Sequence, residues 1–145
     1  MPALTVEGIP EVQAALKAML AKARQANRNT VREVGQTLEK ATKRTLTTSS
    51  HPRGTPTPSM PGEPPSLVSG NLRRSVLTRG PYSTGDGYSV TVGPTAIYSR
   101  IHELGGETGR GVQLPARPYL GPAWESVLPL IPEIAARNWV AIFGA

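Results

Sequence analysis

The stretch IYSRIHELGG, residues 97–106, holds one of the chain's two histidines beside a glutamate and closes on a glycine pair. Ile97, Ile101 and Leu104 are spaced four and three apart, with Tyr98 beside them, which puts them on one face of an α-helix. Gly105 is suited to the left-handed turn that ends such a helix. The spacing predicts a short helix over 97–104, with Ile101 and Leu104 packed and His102 and Glu103 on the polar face. The same letters also form half of a zinc-protease pattern, in which two histidines one turn apart hold the metal and the glutamate activates water. Position 106, where the second histidine belongs, is Gly106, and the other imidazole, His51, lies far upstream. The stretch therefore reads as structural punctuation, and a hydrolase using His102 and Glu103 ranks last among the functional readings.

Upstream, SVLTRG (75–80) and GYSVTVG (87–93) are short β-branched runs. Val90 and Val92 face one way, and Ser89 and Thr91 the other. PYSTGDG (81–87) supplies the turn residues, so the pair predicts a β-hairpin turning at Gly85-Asp86-Gly87. SGNLRRSV (69–76) opens on a turn signal and reads as one helical turn leading into the first strand. Downstream, the glycine-rich GGETGRG (105–111) leads into VQLPARPYLGPAW (112–124). There Pro115 and Pro118 fix extended backbone and Pro122 can open a helix. Trp124, Val127, Leu128, Ile131, Ile134, Ala135, Trp139 and Ile142 continue at helical spacing. Pro129 and Pro132 divide that segment into a short piece, a kink and a longer final helix from about 132. Trp124 and Trp139 read as core or subunit-interface anchors rather than a base-stacking platform.

The first third is helical. Ile9, Val12, Leu16, Met19, Leu20 and Ala23 form one stripe, which resumes at Val31, Val34, Leu38 and Ala41. Asn27 and Asn29 interrupt it with residues that favour caps, so the expectation is a helix pair kinked near 26–30. Residues 47–66, TTSSHPRGTPTPSMPGEPPS, contain six prolines and one large apolar residue, Met60. They can neither continue a helix nor join a central strand. An extended loop at about 47–66 is expected, its prolines lowering the entropy lost when a neighbour pins it.

At 145 residues the expectation is a single domain. Cysteine is absent, which removes disulfides and thiolate chemistry. No apolar run approaches the roughly 20 residues of a membrane span, so no membrane partner is expected. The N-terminus lacks a basic-then-apolar leader pattern, which points to a cytoplasmic origin. Sixteen Lys and Arg against ten Asp and Glu give a net charge of +6, a weak pointer to an acidic partner. The sole aspartate, Asp86, sits in the hairpin turn, and no Gly-x-Ser-x-Gly elbow exists for a serine hydrolase. Glu103 and Glu107 are separated by the glycine pair, and GGETGRG lacks the Lys-Ser/Thr ending of a phosphate loop. No catalytic, metal or cofactor site is expected.

The order of these features is more specific than any one of them. A basic N-terminal helical region, a proline-rich loop, SGNLRRSV, a strand ending VTVGP, then IYSRIHELGG and LPARPYLGPAWE together resemble the tail-completion family of long-tailed bacteriophages, whose members are also described as minor tail or head-tail joining (neck) proteins. The motifs that carry the resemblance use Gly70, Leu72, Tyr98, Glu103, Gly105, Gly106, Arg117, Pro118 and Pro122. It implies an α+β fold, with a small, mainly antiparallel sheet packed by a long N-terminal helix and a C-terminal helix. It also implies a ring, of six copies, where the tail meets the head-side connector in the virion neck, assembled in the host bacterial cytoplasm without a cofactor. The implied partners are further copies of the chain, connector or head-closure proteins, and tail terminator or tail-tube proteins. Pro129 and Pro132 depart from the smoother C-terminal helix the resemblance leads one to expect.

Extended loops suit a ring, in which one patch meets a different patch on the next copy. Candidate interface residues are Pro52, Arg53, Pro56, Pro58, Pro61 and Pro64 of the long loop, Arg110 of GGETGRG, and Arg73 and Arg74. The alternative is a nucleic-acid-binding module, in which Arg73, Arg74, Arg79 and the helix arginines meet phosphates, including those of DNA passing through the ring.

Overall fold

The computed structural model describes residues 7–56 and 59–144. Helix α1 (Ile9–Thr45) runs for 37 residues without a break, about 55 Å at the usual rise per residue. The kink expected near 26–30 is therefore absent. Two asparagines cost a helix roughly 1 kcal/mol together, whereas a break would strand several N–H and C=O groups on each side. Neighbours hold the segment as well. Ala26 is fully buried, Thr30 Oγ1 donates back to the Ala26 carbonyl at 2.8 Å, and the helix packs against both the hairpin and the C-terminal helices.

After the long loop, α2 (Asn71–Ser75) is the expected helical turn, and it feeds directly into β1 (Val76–Ser83). β1 pairs antiparallel with β2 (Tyr88–Pro94), from Val76 opposite Pro94 to Ser83 opposite Tyr88, with a register shift between Arg79 and Tyr82. The hairpin lies across α1 at Gly35. A Cβ there would stand 2.7 Å from Val90 Cγ2 and 2.9 Å from Thr78 Cγ2, so glycine is what permits the close approach. Thr78 adds two polar ties to α1. Its N–H donates to Glu39 Oε2 at 2.8 Å, and its hydroxyl donates to the Gly35 carbonyl at 3.1 Å.

Next come α3 (Ser99–Leu104), a second small antiparallel pair of β3 (Gly106–Glu107) with β4 (Gln113–Leu114), α4 (Leu120–Val127), a 3-10 turn (Leu128–Leu130) and α5 (Ile131–Phe143). The turn falls on Pro129, with Pro132 in the first turn of α5, so the kink is where the prolines put it. The two sheets are separate, and GGETGRG, read as a plain loop, contains β3 and the turn to β4.

The core has two parts. Leu46, Val76 and Tyr119 are buried together, with Leu72, Val92 and Leu120 around them, where the end of α1 meets β1 and the start of α4. Ala26, Ala123, Val127 and Ile134 are buried in the layer formed by α1, α4 and α5. Small residues let these helices approach, and Glu33 of α1 ties the layer by accepting from Arg137 and, at 2.7 Å, from Asn138 Nδ2.

Candidate functional site

The segment 97–106 is the hub of the molecule, though not in the way its spacing suggests. Ile97 is 99% exposed and Leu104 64% exposed, so the expected apolar face is largely outside. The polar residues turn inward instead. Helix α4 begins at Pro118-Tyr119-Leu120 with no Ser, Thr, Asp or Asn to cap it and no acid in its first turn. Glu103 supplies what is missing. Its Oε2 accepts from the N–H groups of Tyr119 (2.8 Å) and Leu120 (3.0 Å), and its Oε1 accepts from that of Gly121 (2.9 Å). A carboxylate placed on three free N–H groups at a helix N-terminus satisfies them and meets the positive end of the helix dipole. Its partners are thus backbone N–H groups, not the neighbouring guanidinium groups of Arg100 or Arg117.

The rest of the junction is equally specific. Gly105 has φ +70°, and a Cβ on it would lie 2.8 Å from the Ala116 nitrogen and 2.9 Å from the Leu114 oxygen. The Arg117 N–H donates to the His102 carbonyl at 2.7 Å, and Arg117 Nε donates to the Ser59 carbonyl at 2.8 Å. The Tyr119 hydroxyl donates to the Ser99 carbonyl at 3.2 Å. Burial pushes that hydroxyl up to about 12, with the Glu103 charge adding to the effect. His102 is half-buried against Tyr98, and among the described residues its Nδ1 has no hydrogen-bond partner. Burial, followed by the charge of Arg117, holds its imidazole below the ordinary histidine range, favouring the neutral form. A glutamate occupied by three N–H donors is not free to activate water. Among the described residues no group of three or more His, Cys, Asp or Glu is placed to hold a metal ion.

The motifs that lie apart in sequence converge here. Gly70, Leu72 and Arg73 of SGNLRRSV line one hollow with Tyr98, His102 and Leu46, while Glu103 and Gly105 lock onto ARPYLGPA. Gly106 opens β3, Pro118 is half-buried beside the capped start of α4, and Pro122 lies in its first turn. The long loop is tied to this junction by its own chain. Ser49 and Ser66 hydroxyls meet at 2.8 Å, His51 and Leu67 bond across its neck, and the Gly62 N–H donates to the Ala116 carbonyl. Pro52, Arg53, Pro56 and Pro61 are exposed and Pro64 is half-buried. Pro58 lies outside the described residues. Arg73 and Arg110 are exposed, while Arg74, also exposed, donates to Asn71 Oδ1 and the Ser69 carbonyl.

A comparison with protein-family models matches residues 8–131 to the phage virion morphogenesis family. The chain belongs to that family. The match covers α1 through the start of α5, and with it every motif of the converging junction. No curated protein and no solved structure matches the chain. Membership in the phage virion morphogenesis family is consistent with a structural, tail-related protein. Among the described residues no helix is long and apolar enough to cross a membrane.

Sequence reasoning missed the surface most relevant to such a role. On the first half of α1, Ile9, Val12, Leu16, Met19 and Leu20 are each half or more exposed, so among the described residues little covers this part of the stripe. Trp124 and Trp139 are each 40% exposed, which places them at the surface rather than in the core. On another side of α1, Arg24, Arg28 and Arg32 are exposed at four-residue steps beside Tyr88, and among the described residues no carboxylate pairs with them.

Proposed function

We propose that this protein is a structural component of the phage neck, completing the tail and joining it to the head-side connector as one subunit of a six-membered ring. The observation that carries the reading is the half-exposed apolar stripe on α1. A folded chain with that much uncovered apolar surface on its longest helix is completed by neighbours. The exposed prolines of the long loop and Arg110 supply further contacts to adjacent copies, to head-closure proteins, or to tail-terminator and tail-tube proteins. Phage lacking the protein should accumulate filled heads and separate tails, and labelled protein should localise to the neck of intact particles. Finished particles without the protein would overturn the assignment.

A second reading is favoured by Arg24, Arg28 and Arg32. Three unpaired guanidinium groups, about 6 Å apart along a helix, can follow a phosphate backbone, so a ring surface of this kind suits contact with passing DNA. Binding of the purified protein to short duplex DNA should weaken steeply with salt, and the triple alanine variant should lose it.

A further inference from the structure

The exposed stripe belongs to a longer line. Residues 9, 12, 16, 19, 23, 26, 30 and 33 alternate three- and four-residue steps, the spacing of a helix-packing seam. In the lower part of the line Ala26 is buried and Glu33 bonds to Arg137 and Asn138 of α5, so a helix already occupies the seam there. Above Ala23 no other described element fills the seam. Five side chains exposed by half or more leave on the order of 500 Å² of apolar surface, at the upper end of what a lone folded chain leaves uncovered.

Helix α5 has the complementary feature. Ile134 is buried and Ile142 half-buried on its inner side, yet Trp139, Val140 and Phe143 are 40%, 53% and 38% exposed on the other. Trp139 and Phe143 stack with ring centroids 5.3 Å apart, and the Lys22 ammonium of α1 lies 5.9 Å from the Phe143 centroid, so the Phe143 end meets its own chain while Trp139 and Val140 stay outside. A helix apolar on two sides is one that is packed on two sides, and among the described residues the outer side meets its own chain only where Lys22 lies over Phe143. The open seam needs a helix with an apolar face, and the same chain presents such a face unused.

We propose that the upper half of α1, residues 9–20, packs on the outer face of α5 of a second copy, centred on Trp139 and Val140. Each subunit then gives one patch and receives another, the head-to-tail contact from which closed rings are built. The proposal rests on the ring reading above for closure, while the contact itself can be tested apart from the phage.

Because the chain has no cysteine, single cysteines report the contact cleanly. Under mild oxidation, a mixture of Leu16→Cys and Val140→Cys proteins should give a mixed disulfide dimer, with little from either alone. Leu16→Glu combined with Met19→Glu should convert the wild-type oligomer to monomer in light scattering, with an unchanged helical spectrum and melting temperature. Dominant Leu16→Cys self-linking, a wild-type oligomer that survives the double glutamate change, or a wild-type chain that is monomeric and unlinked would each overturn the proposal. These results are separable from the neck assignment. Neck localisation together with a failed cross-link would remove only this contact, and a formed cross-link in a protein absent from particles would remove only the assignment.

Discussion

From Ala26 to Thr45, helix α1 is covered by the hairpin on one side and α4–α5 on the other, with Ala26, Gly35 and Thr42 buried and Leu46 buried just past its end. From Ile9 to Leu20 the same helix carries larger apolar residues, all half or more exposed. The positions buried along the helix itself, Ala26, Gly35 and Thr42, are small ones. Small residues permit close approach between elements of one chain, whereas large ones at seam spacing offer area to something outside. Burial in this molecule therefore follows where partners exist, not where hydrophobicity is greatest.

The sharpest way to break the covered half is through its capstone. Glu103→Ala leaves three N–H groups at the start of α4 without their acceptor, and Tyr119 and Leu120, two of the donors, belong to or border the core of which Leu46 is part. A loss of about 3 kcal/mol in urea unfolding is expected, with Glu103→Gln falling between the variant and wild type. Equal loss from His102→Ala would contradict the view that Glu103, and not its histidine neighbour, holds the junction. Gly35→Ala comes next. The methyl group would press on Val90 and Thr78, both β-branched and hard to move, at a cost of about 2 kcal/mol.

A smaller effect should appear on acidification. Hydrogen bonds from Asn138 and then Arg137 hold the Glu33 carboxyl below the ordinary glutamate value of 4.5, and those from Lys43 and then Thr78 do the same for Glu39. The unfolded chain takes up these protons near 4.5 while the folded chain resists, so their stabilising contribution is complete above that pH and is lost as the pH falls through the lowered values. His102, depressed from 6.5 by burial, acts in the same direction from that pH downward. Urea midpoints should therefore fall from about pH 6.5 downward, first through His102 and then, below 4.5, through the two glutamates, and Glu33→Gln should flatten the limb below 4.5. A midpoint that rises on acidification would refute the sign.

The readable parts of the fold are those governed by local rules. The hairpin turn at Gly85-Asp86-Gly87, the one-turn α2 and the kink at Pro129 follow from turn chemistry and proline geometry, which act within a few residues. The continuous α1 was not legible, because Asn27 and Asn29 are overruled by packing from segments that lie far along the chain. The same applies to Glu103, whose partners are the N–H groups of residues 119–121. A trace was present in the sequence: α4 starts without any capping residue of its own, so a cap had to come from elsewhere. Ile97 and Leu104 misled because helical spacing identifies a shared face without saying whether anything covers it.

That ambiguity is what the smallest predicted effect addresses. Leu16→Ser sits on the stripe at 60% exposure, and in the isolated subunit it removes no contact with the covered half. Its effect on monomer stability should stay within about 0.5 kcal/mol, against the 2–5 kcal/mol usual when a buried leucine is truncated. Unfolding should be measured at a concentration low enough to keep the protein monomeric, since assembly would otherwise add its own stabilisation. A loss near the buried value would mean that the upper half of α1 folds back on its own chain, and the contrast between the two halves would disappear. A near-zero loss, joined to weaker association at high concentration, would establish that these leucines and methionines serve a neighbour and not the subunit that carries them.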